Sequence, residues 1–100
     1  VSYRLSIRPD ALRDIEEAAA WYEEQQAGLG ADFVRTIRTA IRSLPAHPLI
    51  HPLRDRRRNV RSLRPPRFPY RVFFRLRGHL ITVFAVIHTA RHDRQWKERL

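Results

Sequence analysis

The chain has no cysteine, one lysine and only three glycines in 100 residues. Without cysteine there are no disulfides and no thiolate metal sites, and nothing points to an oxidising compartment. The scattered glycines form no phosphate-cradling loop. Ser2, Ser6, Ser43 and Ser62 lack any local nucleophile signature. The longest apolar stretch, Leu80 to Ile87, is broken by Thr82 and is too short to cross a bilayer. The N-terminus has no basic segment followed by an apolar run, so a cytoplasmic location is expected, with no membrane partner. The five histidines do not make a metal site: His47 and His51 straddle prolines and no thiolate assists them. No cofactor is expected.

What the chain has in excess is positive charge. Twenty Lys and Arg oppose ten Asp and Glu, a formal net charge of +10. Nineteen of those cations are arginine, and Lys97 is the exception. The guanidinium fork suits phosphate and carboxylate and sheds water more readily than an ammonium. Such a field attracts polyanions and acidic proteins. The length fits one domain, residues 1–100, with a small core and thin stability.

Tyr3, Leu5 and Ile7 alternate with Arg4, Ser6 and Arg8, the pattern of a short strand with one buried face. Pro9 stops it and, with Asp10, suits a helix start. From Asp10 to about Gln26 the apolar residues Leu12, Ile15, Ala19 and Tyr22 recur at helical spacing. Gly28 and Gly30 break the pattern. A second helix follows from about Ala31 to Pro45, with Leu29, Phe33, Ile37, Ala40, Ile41 and Leu44 as its stripe. Together they predict a helical hairpin. A proline-punctuated loop leads to the basic run Arg54 to Arg58, and Val60 to Arg64 reads weakly as a strand.

Tyr70 to Leu76 and Leu80 to Ile87 are rich in aromatic and β-branched residues and predict a hairpin turning at Gly78-His79. A two-residue turn pairs Arg77 with Leu80. It places Tyr70, Val72, Phe74, Leu76, Ile81, Val83, Ala85 and Ile87 on the face toward the helices. Arg71, Phe73, Arg75, Leu80, Thr82, Phe84, Val86 and His88 then share the other face. A three-residue turn would put arginines among core residues. Asp93 to Leu100 predicts a short closing helix, with Trp96 and Leu100 one turn apart.

The helix phrase Ala19-Ala20-Trp21-Tyr22-Glu23, the strand phrase Phe68-Pro69-Tyr70-Arg71-Val72-Phe73-Phe74 and the run Val86-Ile87-His88-Thr89-Ala90-Arg91-His92-Asp93 resemble those of the RelE/ParE superfamily of bacterial toxins. The resemblance covers essentially the whole chain. It implies an α+β fold of order β-α-α-β-β-β, a small antiparallel sheet packed on an N-terminal two-helix hairpin, with a short C-terminal helix. It also implies a cognate acidic antitoxin and a role in growth inhibition and plasmid stabilisation. RelE-like members cut mRNA on the ribosome with a set of basic residues and often a C-terminal tyrosine. ParE-like members lack that set and inhibit DNA gyrase. Here Lys97 is the only lysine and no tyrosine follows Tyr70, which favours the ParE-like reading. The alternatives are a ribosome-dependent endoribonuclease and a plain basic nucleic-acid-binding module.

Under the endoribonuclease alternative, Arg71 would clamp a phosphate, His88 would move a proton and Arg91 would stabilise charge on the scissile group. Otherwise Arg71, Phe73, Arg75, Phe84, His88 and Arg91, with Arg54 and Arg57 of the basic loop, form a surface for target or antitoxin. The apolar part of that surface (Phe73, Leu80, Phe84, Val86) is more than a small monomer leaves open, so an antitoxin segment is expected to cover it. Arg35, Arg38 and Arg42 make a polar helix stripe, Asp93 is placed to cap the final helix, and Trp21 and Trp96 suit packing anchors.

Overall fold

The computed structural model describes residues 2–100. The elements in chain order are β1 (Arg4–Ile7), α1 (Pro9–Gln25), α2 (Leu29–Ser43), a 3-10 turn (Pro48–Ile50), β2 (Leu53–Asp55), β3 (Val60–Leu63), β4 (Tyr70–Arg77), β5 (Leu80–His88) and α3 (Arg94–Lys97). The arrangement is α+β. Among the described residues no helix is long and apolar enough to cross a membrane.

Pro9 opens α1 without wasting a donor, and the Arg8 carbonyl accepts from the amides of Ala11 and Leu12. Ala11, Ile15 and Ala18 form the buried line of α1, against Phe33, Ile37 and Ile41 of α2. At the hairpin's tip the Glu23 carboxylate accepts from the amides of Gly28 and Gly30, each at 3.0 Å. It thereby satisfies first-turn donors of α2 that have no partner in the helix.

The sheet order is β1-β5-β4-β3-β2. β1 joins β5 in parallel, so the sheet is mixed where the resemblance implied an antiparallel one, and β2 is a short edge strand absent from the sequence reading. The Gly78-His79 turn forms as expected, with Gly78 at φ +55° and Arg77 opposite Leu80.

Farther along this hairpin the expectation fails. Phe74 pairs with Val83, but Phe73 pairs with Ala85, so β5 carries one extra residue at Phe84. A bulge of this kind reverses which side chains face which way beyond it. Val86, expected on the outer face, packs with Val72 and Phe74 in the core beneath the helices. Ala85 and Ile87, expected inward, join Phe73, Phe84 and Val60 on the outer face.

That outer face is not left open. The C-terminal segment folds across it and buries Trp96, whose ring stacks on Phe73 at 5.0 Å between centroids. Phe84 lies 6.5 Å from Phe73 in the same cluster. Each aromatic pair of this kind adds about 0.5–1.5 kcal/mol beyond the burial itself. Phe73 and Phe84, expected as partner-binding residues, are therefore covered by the chain's own Trp96.

Candidate functional site: a cleft at the open edge of the sheet

β1 shields β5 only from Leu80 to Val83. Beyond Val83 no strand among the described residues lies beside the outer edge of β5, and side chains take a strand's place. The Val86 amide donates to the Asp14 carboxylate at 2.8 Å, and the Phe84 carbonyl accepts from the Arg99 guanidinium at 3.1 Å. Asp14 and Arg99 are themselves paired, and that hydrogen bond, ahead of the desolvation opposing it, holds the Arg99 pKa above its ordinary value. The main chain of Arg99 is tied in as well, its carbonyl accepting from Arg8.

Alongside this edge runs a cleft of about 670 Å³ between α1, the end of β5 and the C-terminal segment. Trp21, Tyr22, Tyr70, His88, Arg91 and Arg99 are among its lining residues. Trp21, 56% exposed, stands edge-on against Tyr22. Burial raises the pKa of Tyr22 and of Tyr70, and for Tyr70 the neighbouring Tyr22 adds to the rise. Both phenols therefore stay neutral donors at ordinary pH. Apolar walls with a few convergent polar groups are what a binding cleft requires.

His88 belongs to this cleft. It pairs with Tyr70 in the ladder and its ring stands 5.2 Å from the Tyr70 ring. Its Nδ1 accepts the Ala90 amide at 3.0 Å, so the neutral ring carries its proton on Nε2. Arg71 pairs with Ile87 and lies on the opposite face of the sheet. The expectation that Arg71 and His88 share a face is thus overturned, and the cause is the extra residue at Phe84. Arg91 is exposed and lines the same cleft as His88.

The remaining arginines sit elsewhere. Arg75 pairs with Thr82 on the outer face with Arg71. The Arg54 guanidinium lies over the rings of Phe73 and Trp96, 5.7 and 6.0 Å from their centroids, and pairs with Asp93. Arg57 is exposed in the β2–β3 turn. Asp93 precedes α3 as expected but does not cap it with its side chain. Its carboxylate accepts from the Trp96 indole, and the Arg94 amide is taken instead by Nδ1 of His92. Trp96 is the expected packing anchor, whereas Trp21 is not. Among the described residues no three His, Asp or Glu side chains converge to hold a metal.

Asp14 and Arg99 are the site residues that sequence reasoning missed. The signal was present for Asp14, which stands three residues after Ala11 and four before Ala18, on the buried line of α1. An acid there needs a partner. Nothing in the local sequence marks Arg99 as that partner.

Charge is also divided unequally over the fold. Fourteen of the nineteen arginines but one carboxylate, Asp55, fall between Phe33 and His92, whereas seven of the ten carboxylates lie between Asp10 and Asp32.

A small mixed sheet, a helical hairpin on one face and a C-terminal segment folded over the other define a small α+β domain. The chain matches the family described as the ParE toxin of the type II toxin–antitoxin system parDE over residues 5–93, and it belongs to that family. A solved chain of the chromosomal ParDE toxin–antitoxin system from P. aeruginosa is similar in fold, with a TM-score of 0.76 at 19% identity, covering 86% of this chain and 95% of that one. A chain of the RelBE2 toxin–antitoxin complex from Mycobacterium tuberculosis aligns with a TM-score of 0.59 at 22% identity, covering 88% and 99%. Among curated protein sequences none matches.

Proposed function

We propose that this type II toxin inhibits DNA gyrase by binding and does not cleave mRNA. The observation that carries this reading is the separation of Arg71 from His88 by the thickness of the sheet. Cleavage of a phosphodiester needs a charge-stabilising group and a proton carrier at one reacting centre, within hydrogen-bond reach of it. Of the cations considered for that chemistry, exposed Arg91 alone shares the cleft with His88, and Arg71 and Arg75 are on the other face, so the set that would act together is divided. The lack of further lysines and of a tyrosine after Tyr70 supports the same reading. Purified toxin is expected to block supercoiling by gyrase at near-stoichiometric amounts and to leave translated mRNA intact. Discrete cuts in primer extension, lost in His88→Ala, would overturn the proposal.

Neutralisation is assigned to an extended, acidic antitoxin segment lying in the cleft beside β5. The exposed Trp21 ring supplies an apolar anchor there, and Arg91 a cation for a carboxylate. Trp21→Ser is expected to weaken capture by the antitoxin without changing the toxin's effect on gyrase.

A further inference from the structure

The edge of the sheet farthest from the cleft carries a second exposed surface. Leu49, Ile50 and Leu53 fall within five residues of one another, and Leu49 and Ile50 are 56% and 74% exposed. A loop that merely joins α2 to β2 has no reason to hold such side chains outward, since burying them inward is favourable.

This loop is fixed in place. The Arg61 guanidinium, reaching back from β3, donates to the carbonyls of Leu49 and His51 at 3.2 and 2.8 Å. The Ser62 amide donates to the Pro52 carbonyl, and the His51 ring stands edge-on to Phe74 in the core. Pro48 is buried beneath the turn. The backbone is thus tied down by its carbonyls while Leu49 and Ile50 project into solvent. Ordering has been completed before any partner arrives, which lowers the entropic cost of docking.

The surroundings are cationic. The exposed Arg56, Arg57 and Arg58 follow in the next turn, and the carboxylate beside them, Asp55, is engaged by the amide and the guanidinium of Arg58, while Arg54 is turned to Asp93.

We propose that Leu49 and Ile50 are the anchor by which the toxin grips a folded protein target, and that the complementary surface is an apolar groove rimmed by carboxylates. Under the gyrase reading, on which this rests, that groove is on gyrase. Three features select this occupant. A phosphate backbone gains nothing from two aliphatic side chains at the centre of the contact, so nucleic acid alone does not account for them. A second copy meeting it through the same surface would bring like charges together. A projecting knob needs a preformed hollow, which a folded surface offers and an extended antitoxin segment does not.

The test compares the wild-type toxin, Leu49→Asp combined with Ile50→Asp, and Leu12→Asp as an exposed apolar control on α1. Each is titrated into purified gyrase in a supercoiling assay, with thermal melting followed in parallel. The expected result is that the double variant melts as wild type does yet needs at least about tenfold more protein for half-inhibition, while the control matches wild type. If wild type and double variant inhibit alike, the anchor is wrong and the gyrase reading stands. If wild type does not inhibit at all, the gyrase reading has failed and takes the anchor with it. An equal loss of binding to a bare labelled DNA duplex would assign the surface to nucleic acid and overturn the proposal. So would light scattering that shows a wild-type dimer which the double variant dissociates.

Discussion

Arg99 grips Asp14 with both arms of its guanidinium, at 2.5 and 2.9 Å, while the same carboxylate accepts the Val86 amide. One ion pair therefore joins α1, the free edge of β5 and the C-terminal segment. Asp14→Ala would strand a half-buried cation and a strand amide together. Removing one partner of a fully buried pair costs about 3–5 kcal/mol, and the partial exposure of Arg99 reduces this to about 2 kcal/mol. Urea unfolding measures the loss. Hydrogen exchange at the Val86 amide should quicken by more than the global change accounts for.

Trp96→Ala is expected to be more damaging. It removes the cover from Phe73 and Phe84 and leaves Arg54 with one ring, that of Phe73, in place of two. Replacing a buried aromatic by alanine costs about 3–5 kcal/mol, a large share of the total stability of a domain this small. The melting midpoint should fall sharply, and a hydrophobic dye should bind the variant but not the wild type.

Gly30→Ala sets two effects against each other. Alanine gains about 1 kcal/mol in helix propensity. A Cβ at Gly30, however, would stand 2.5 Å from the Ala19 carbonyl oxygen, a backbone atom of the packed helix. Forcing helices apart costs about 1–3 kcal/mol. Because that oxygen cannot swing aside, the steric effect wins and the variant should melt below wild type.

His51 gives stability an acid limb. Burial, and then the Arg61 charge, hold its pKa below the ordinary 6.5. The folded state thus disfavours the imidazolium. The stability this represents is complete above pH 6.5 and drains away as pH falls toward the lowered folded value. His51→Asn should flatten the melting profile between pH 7 and pH 5 relative to wild type.

His88→Ala separates the two activities considered for this family. The imidazole faces Tyr70 and accepts the Ala90 amide, away from Arg71. Growth arrest on induction should be unchanged within about twofold, whereas loss of a general acid–base group costs about 10²–10⁴ in rate. A loss of that size would reinstate ribonuclease chemistry.

The helical hairpin was legible because Phe33, Ile37 and Ile41 recur at a period that only a helix satisfies, although α1 buries Ala11 and Ala18 and leaves Leu12, read as part of its stripe, exposed. The turn at Gly78-His79 was legible because it alone kept arginines out of the core. The slip at Phe84 was not. Val83, Phe84, Ala85, Val86 and Ile87 are all apolar, so no polar residue records which side each takes, and alternation extrapolates through the bulge unopposed. Trp96 escaped as a cover for Phe73 because that contact joins distant parts of the chain. The fold class thus survived a local error that rearranged the proposed site.

The uneven placement of carboxylates, six of them on α1, gives the molecule an electrical axis running from that helix to its strands and arginine-bearing turns. An approaching polyanion or acidic protein would rotate the toxin strand-first before the two touch, hastening productive encounters in dilute salt and losing that advantage as counterions gather.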